Sequence, residues 1–269
     1  MNDVRLFSTA WPGDDLASRV TGTTDRHWFY ESGKQSLRDI QAVLGVARRE
    51  MQSFTSILDF GCGCGRIMLW LGDLSRTAAL HGVDIDEQAV GWAQHHLPYA
   101  TVTANQPMPP LNYADGFFDL VYNHSVFSHI DEELQDLWLA ELRRVTRPGG
   151  WLVLSVHGEH AFDEFARSAG DVAALRRQLQ DKGIVFLRED GWTGGPFPDF
   201  YHTTFHAPWY VFGHWSRWFA IRAYVPRGSL GYQDFVLLER LPDGEAGPTP
   251  LAPSALKDRA DTSEATLLK

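Results

Sequence analysis

Between residues 35 and 49, apolar side chains recur at Leu37, Ile40, Val43, Leu44 and Ala47, the spacing of one buried helix face. A short apolar run at 56–60 follows and reads as a strand. The alternation then continues for a hundred residues. Strand-like segments at 81–85, 100–105, 118–123 and 151–156 are separated by helical stretches, the clearest at 132–145 through Leu134, Leu137, Leu139 and Leu142. Strands alternating with helices predict an α/β domain built on a doubly wound, mostly parallel sheet. After His160 the pattern predicts a helix over 161–182, a Gly/Pro-rich loop at 191–198 and a segment dense in aromatics. Two β-rich runs, 218–225 and 234–240, are joined by a turn-rich stretch and read as a hairpin that adds an antiparallel last strand. Beyond Leu241 come Pro242, Pro248, Pro250 and Pro253 with few bulky apolar residues, the composition of a disordered tail. The organisation is thus a helical lead-in over 1–50 that is also a candidate cofactor lid, a main domain over 51–241 with an insertion at about 157–217, and a tail over 242–269.

Composition narrows the functional classes. At 269 residues with 44% hydrophobic side chains and 10 Trp, the chain can bury one sizeable core, which excludes global disorder. Its 34 acidic against 24 basic residues give a net charge of −10, and no Lys/Arg run occurs, so nucleic acid is not an expected partner. The absence of a long apolar stretch or a basic leader points to a cytoplasmic chain with no membrane contact. The two cysteines, Cys62 and Cys64, are one residue apart in a glycine-rich turn, where a mutual disulfide would be strained. They read as small loop-filling residues.

That turn carries the first chemistry. Asp59 is followed by Phe60-Gly61-Cys62-Gly63-Cys64-Gly65-Arg66 and an apolar stretch at 67–74 that reads as a helix. Glycines at this spacing let a strand turn sharply while the backbone closes on a ligand. Asp84, at the end of the next strand in Gly82-Val83-Asp84-Ile85-Asp86, stands where a carboxylate accepts both hydroxyls of a ribose. A nicotinamide-binding site shares these features but prefers a third glycine where Arg66 stands. The run from Ile57 to Arg66 resembles the first motif of class I S-adenosylmethionine (SAM)-dependent methyltransferases, and Gly82 to Asp86 resembles the second. The run from Phe117 to Ile130 resembles the fourth-strand motif of that family, and Leu142 to Leu152 the helix, turn and fifth strand that follow.

The resemblance implies a Rossmann-like, seven-stranded sheet and SAM as cofactor. It implies that Asp59 and Gly61, in a loop completed by Gly63 and Gly65, face the methionine part, and that Asp84 holds the ribose. Val83 and Ile85 would flank the adenine, Asn105 and Gln106 would stand where the family often has an acidic residue, and Asn123 would pass its carbonyl under the methionine amino group. Tyr30, in the segment 29–33, is a candidate to close over the site from the acceptor side.

Acceptors bind beyond the carboxyl ends of such strands, and six of the 11 histidines gather there: His124, His129, His157, His160, His202 and His206. An aliphatic hydroxyl is a poor nucleophile until a base takes its proton, and neutral imidazole suits that task. His129, His202 and His206 are the candidate bases, although a histidine at a sheet edge is often only a satisfied polar residue. A divalent metal could serve instead, but Glu159, Asp163 and Asp234 form no recognisable ligand spacing, so metal dependence stays open. The aromatics of 197–219 suit core packing, with Trp209, Phe212 and Trp215 on one helical face, and also suit the C–H faces of a sugar. His124, Tyr201, Trp209, Arg227, Gln233 and Asp234 are the further candidate acceptor contacts. The segments 125–129, 138–145, 201–206 and 231–234 are similar to bacterial methyltransferases of glycan biosynthesis, including those of methylated mannose polysaccharides. The function expected is SAM-dependent O-methylation of a sugar or oligosaccharide. Methylation of another small molecule, a SAM-binding subunit without catalysis and a nicotinamide oxidoreductase are the alternatives. The oligomeric state is not encoded in any feature read here.

Overall fold

The structure, a computed structural model, describes residues 11–188 and 198–242. Most of the loop expected at 191–198 and nearly all of the tail expected to be disordered lie outside the described residues. The chain opens with helices α1 (Asp14–Thr21) and α2 (Arg26–Val46). Strands β1 (Ser56–Phe60), β2 (Ala79–Asp84) and β3 (Ala100–Ala104) follow, with α3 (Glu87–His96) before β3. Then come β4 (Phe118–Asn123), α4 (Glu132–Val145) and β5 (Thr146–Val156). The insertion holds α5 (Glu159–Ser168), α6 (Ala173–Lys182), β6 (Ile184–Leu187), β7 (Thr203–His206) and α7 (Pro208–Trp215). The hairpin β8 (Ala220–Ser229) and β9 (Gln233–Glu239) ends the sheet.

Seven strands form one sheet in the order β3-β2-β1-β4-β5-β9-β8. All are parallel except β9, which runs antiparallel between β5 and β8, as expected for the last strand. Because successive strand residues face opposite sides, the sheet has two cores. Ile57, Leu80, Leu120, Tyr122 and Val153 meet Phe29, Ile40 and Leu44 of α2 on one face. Leu58, Val83, Val121, Leu152 and Leu154 meet Trp138 and Leu142 of α4 and Val211 and Trp215 of α7 on the other.

Three local expectations change. The stretch 67–74 is not a helix but two 3₁₀ turns, Met68–Trp70 and Gly72–Arg76. Gly72 would cost about 1 kcal/mol in a helix interior, whereas the turns bury Met68, Leu69 and Leu71 against the sheet. The helix expected over 161–182 divides at Gly170, where Asp171 accepts from the Ala173 N–H at 2.9 Å and starts α6. The β6–β7 ribbon was not legible because its four-residue strands are separated by 15 residues. With α5 and α6 it builds a small third core around Phe162, Val185 and Phe205. β7 docks edgewise onto the main domain: the Thr204 N–H donates to Ser128 O at 2.8 Å and the His206 N–H to His157 O at 2.8 Å.

Candidate functional site

A cavity of about 450 Å³ opens at the carboxyl ends of β1, β2 and β4, within the size of small-molecule sites. Its floor is the turn after β1. The N–H groups of Gly61 and Cys62 both donate to Val83 O, at 2.9 and 3.0 Å, which latches the turn onto β2. Gly61 has φ +80°, and a Cβ there would lie 2.3 Å from Val126 Cγ2, so only glycine allows this approach. The Gly63 N–H donates to Asp84 Oδ2 at 2.6 Å, and the Asp86 N–H to Asp84 Oδ1 at 2.9 Å. Each carboxylate oxygen keeps a second lone pair for a bound hydroxyl.

Ile85, Asn105, Gln106 and Pro107 form the side next to Asp84. The Asn105 N–H is tied to Asp84 O at 3.0 Å, and the Trp138 indole donates to Pro107 O at 3.2 Å. Arg19 and Val20 of α1 complete this side, with Arg19 paired to Asp86 at 3.0 Å. His124, Ser125, Val126, Phe200 and Tyr201 also line the cavity. Ser125 takes the left-handed backbone region, φ +63°, which non-glycine residues rarely occupy outside functional turns. Its N–H donates to Ser155 Oγ at 2.8 Å, and its hydroxyl accepts from the Gln233 amide.

Burial displaces three titratable groups of the site, Asp59, Asp84 and His124, toward neutrality. Burial raises the Asp59 carboxyl to about 7, against the opposing pull of Tyr122 and Arg66. Burial also raises Asp84, partly offset by the N–H groups of Asp86 and Gly63. His124 is held well below the ordinary histidine value by burial and, less, by Arg66, His157 and His129, so its imidazole is neutral near pH 7.

The structure sorts the residues expected from the sequence. Asp59, Gly61, Gly63, Asp84, Ile85, Asn105, Gln106, His124 and Tyr201 line the cavity. Gly65 does not: a Cβ there would meet Leu97 Cδ1 at 2.4 Å, so this glycine serves packing against the end of α3. The Val83 side chain lies in the α4-side core rather than beside the cavity. Asn123 is fully buried, its Oδ1 accepting from the Ser155 N–H at 2.7 Å. Tyr30 packs with Trp11 and Phe29, and α1 takes the covering position expected of it.

None of the three histidines expected as bases is in the cavity lining. His129 Nδ1–H donates to His202 O at 2.8 Å and the His202 N–H returns to His129 O at 2.9 Å, a two-way clasp between the end of β4 and the insertion. His202 Nε2–H donates to Asp199 O at 3.0 Å, and His206 is fully buried with its Nε2–H on Gln135 Oε1 at 3.0 Å. His129 stacks on the lining residue Tyr201 at 4.3 Å. Trp209 covers Gly183, and Arg227 and Asp234 close the β8–β9 turn, with the Arg227 N–H donating to Asp234 Oδ1 at 2.7 Å. Gln233 stands one layer behind the wall, behind Ser125. Among the described residues no three His, Cys, Asp or Glu side chains converge as a metal site, and no helix is long and apolar enough to cross a membrane.

Sequence reasoning missed Arg19, Val20, Trp138 and Phe200 as lining residues. Trp138 entered the sequence reading only within the run 138–145, with no role of its own, and nothing in the sequence marks the residues of α1 as neighbours of Asp86.

Comparison with known proteins agrees with this geometry. Residues 58–154 match the family model of a methyltransferase domain. The malonyl-(acyl-carrier protein) O-methyltransferase of Hahella chejuensis is 27% identical over 162 residues, 56% of this chain and 56% of that protein. The ribosomal protein L11 methyltransferase of Paraburkholderia phymatum is 31% identical over 144 residues, 54% of this chain and 43% of that protein. The matches thus span about half the length of these curated relatives. The structure of the 1,6-didemethyltoxoflavin-N1-methyltransferase of Burkholderia thailandensis superposes with a TM-score of 0.54 at 14% identity, covering 90% of this chain and 92% of that one. The fold is therefore that of the Rossmann-like methyltransferases.

Proposed function

We propose that this chain, which carries a class I SAM-dependent methyltransferase domain over residues 58–154, transfers a methyl group from SAM to a hydroxyl of a sugar or oligosaccharide. The observation that carries the reading is one cavity lined both by the glycine turn with Asp84 and by a neutral imidazole, His124. The residues fit the cofactor: a ribose would have carboxylate lone pairs at Asp84, and an adenine would lie beside Ile85, Asn105 and Gln106. SAM supplies a methyl group already bonded to its leaving sulfur. What remains for the protein is alignment, exclusion of water and, for a hydroxyl, removal of a proton.

His124 is the one histidine in the cavity lining among the described residues. Its Nε2 is buried with no hydrogen-bond partner among the described residues. Ser125 accepts from Gln233 and keeps its own O–H to donate, a second contact for an acceptor oxygen. Phe200 and Tyr201 add apolar faces that suit sugar C–H groups. Against a nucleic acid stands the acidic edge made by Asp84, Asp86 and Glu87, in a chain of net charge −10.

The test is methyl transfer from labelled SAM to a panel of sugars and oligosaccharides, run beside amine and carboxylate acceptors and read by mass spectrometry. Methylation of a hydroxyl acceptor supports the reading. Transfer confined to amines or carboxylates overturns the O-methyl sugar assignment while leaving the domain's cofactor in place.

A further inference from the structure

Behind the wall of the cavity lies a buried polar layer that the sheet brings together from three strand ends. β9 runs antiparallel to β5 with Asp234 opposite Val156, so Gln233, the first residue of β9, stands beside His157 at the carboxyl end of β5. Gln233 is 6% exposed and His157 7%, and Ser155 and Asn123 are fully buried. The amide of Gln233 reaches Ser125, which lines the cavity, and its Nε2 lies 3.4 Å from His157 Nε2. The Ser125 N–H is held by Ser155 Oγ at 2.8 Å, and the Ser155 N–H by Asn123 Oδ1 at 2.7 Å. Two buried side chains thus fix Ser125, one at its backbone and one at its hydroxyl, in the left-handed conformation at φ +63°. Gln233 is anchored in turn, because Asp234 accepts from the Tyr224 hydroxyl at 2.6 Å and from the Arg227 N–H at 2.7 Å.

The direction of these hydrogen bonds follows from counting donors. Burial, with His129 and His206 nearby, holds His157 well below the ordinary histidine value, so its ring is neutral and carries one N–H. With Gln233 Nε2 donating to both Ser125 Oγ and His157 Nε2, the ring proton is on Nδ1, and the atoms left without partners are that Nδ1 and Gln233 Oε1. The reversed amide would accept through Oε1 from the Ser125 O–H and from an Nε2–H of His157, but would strand both of its own N–H donors. Buried N–H groups without partners are rarer than buried oxygens without them. One arrangement strands one donor and the other strands two. The favoured arrangement also leaves the Ser125 proton unspent: among the described residues its hydroxyl accepts from Gln233 and donates to none.

Resting on the hydroxyl reading above, we propose that Gln233 is a positioning residue for the acceptor: its amide N–H occupies the Ser125 oxygen, so that the Ser125 O–H is turned into the cavity as a donor to an oxygen of the acceptor. His157 holds the amide in that sense by accepting its second N–H. The cavity then offers His124 to take a proton and Ser125 to give a hydrogen bond, a pair of opposite polarity. The acceptor class this suits is a polyol, with one oxygen that loses its proton and a second that accepts. Gln233 lies outside residues 58–154, the segment that matches the methyltransferase domain, so this selectivity belongs to the chain's own hairpin. Sequence reading expected Gln233 to touch the acceptor directly, whereas the register of β9 puts it behind Ser125.

The polarity can be read without any acceptor or cofactor. Nitrogen-15 spectra of histidine-labelled protein, with the His157 signals identified by their loss in His157→Gln, should show the His157 proton on Nδ1. Gln233→Glu keeps the shape but, once ionised at alkaline pH, can only accept, so the His157 proton should move to Nε2. At that pH the same variant should raise the KM for the methylated sugar of the panel by about 5- to 100-fold, the range for a buried polar group left unpaired. Its Kd for SAM should stay within about twofold of wild type, because the lost contact is to the acceptor alone. A wild-type His157 that carries its proton on Nε2 means that the amide spends the Ser125 proton, and overturns the assignment. So does a Gln233→Glu protein with unchanged KM, or one that loses SAM by the same factor. If Gln233→Glu does not fold, the wild-type ring still decides. A panel in which no hydroxyl is methylated contradicts the hydroxyl reading itself, and the role of Ser125 toward the acceptor with it, whereas the position of the His157 proton is independent of that outcome.

Discussion

The Asp84 carboxylate already holds the N–H groups of Gly63 and Asp86 at 2.6 and 2.9 Å, so on the proposed SAM reading its removal would loosen the glycine turn as well as strand the ribose hydroxyls. Asp84→Ala should weaken SAM binding by about 1.5–3 kcal/mol. A change below about threefold in Kd would contradict its role. His124→Gln should lower turnover by about 10²–10⁴-fold with SAM affinity nearly unchanged, because a proton moves only in the transition state; unchanged turnover on the true acceptor would remove His124 as the base. The two groups also separate by pH. If Asp59, raised to about 7, faces the methionine ammonium as the resemblance implies, SAM affinity is full above that value and declines as pH falls through it. His124 is held well below the ordinary histidine value, so turnover at saturating SAM keeps its level through the same interval. A SAM affinity that does not change between pH 8 and pH 6 would contradict the Asp59 assignment. At this scale the sequence was most informative where backbone geometry demands a residue type, as at Gly61 and Asp84. It was least informative for the histidines, because six at strand ends look alike until the structure shows that His202 and His206 spend their ring N–H groups on Asp199 and Gln135.

Among the elements, β7 of the insertion is clasped to the end of β4 and to α4 by named hydrogen bonds, which makes its attachment testable. Gln135 of α4 is fully buried, donating to Phe127 O at 3.1 Å and Ile130 O at 2.9 Å and accepting from His206 of β7. Gln135→Leu leaves those groups without partners and should cost about 1–3 kcal/mol, a fall in Tm of several degrees for a chain of this size. A Tm within one degree of wild type would show that the clasp is not needed. Helix α1 lies over the glycine turn, where Val20 would meet any Cβ at Gly63 at 2.7 Å and Arg19 pairs with Asp86. Removal of residues 1–22 should raise the Kd for SAM while leaving the sheet folded by circular dichroism; an unchanged Kd would mean that α1 does not cover the cofactor. Long, strongly periodic elements such as α4 and β4 were legible to the residue. The β6–β7 ribbon and the 3₁₀ turns were not, since four-residue strands and three-residue turns carry no period and form only against partners distant in sequence.

For the whole molecule, the mostly parallel sheet and its single antiparallel member followed from alternation plus one terminal hairpin, so a site at the carboxyl ends of the strands was legible in the sequence, whereas the order of the strands was not. Which residues close that cavity was not, because α1, α4 and the insertion reach it from 40 to 140 positions away in the chain. The matched domain covers residues 58–154, whereas the covering helix and the acceptor wall at Phe200 and Tyr201 lie outside it. The cofactor is thus argued from the shared core and the acceptor from the chain's own additions. The claim on which both rest is that the glycine turn serves SAM and not a nicotinamide dinucleotide. Calorimetric titration of the intact protein with SAM and, separately, with NAD decides it: the account requires one SAM bound per chain and no saturable heat with NAD, and saturable binding of NAD without binding of SAM would contradict it.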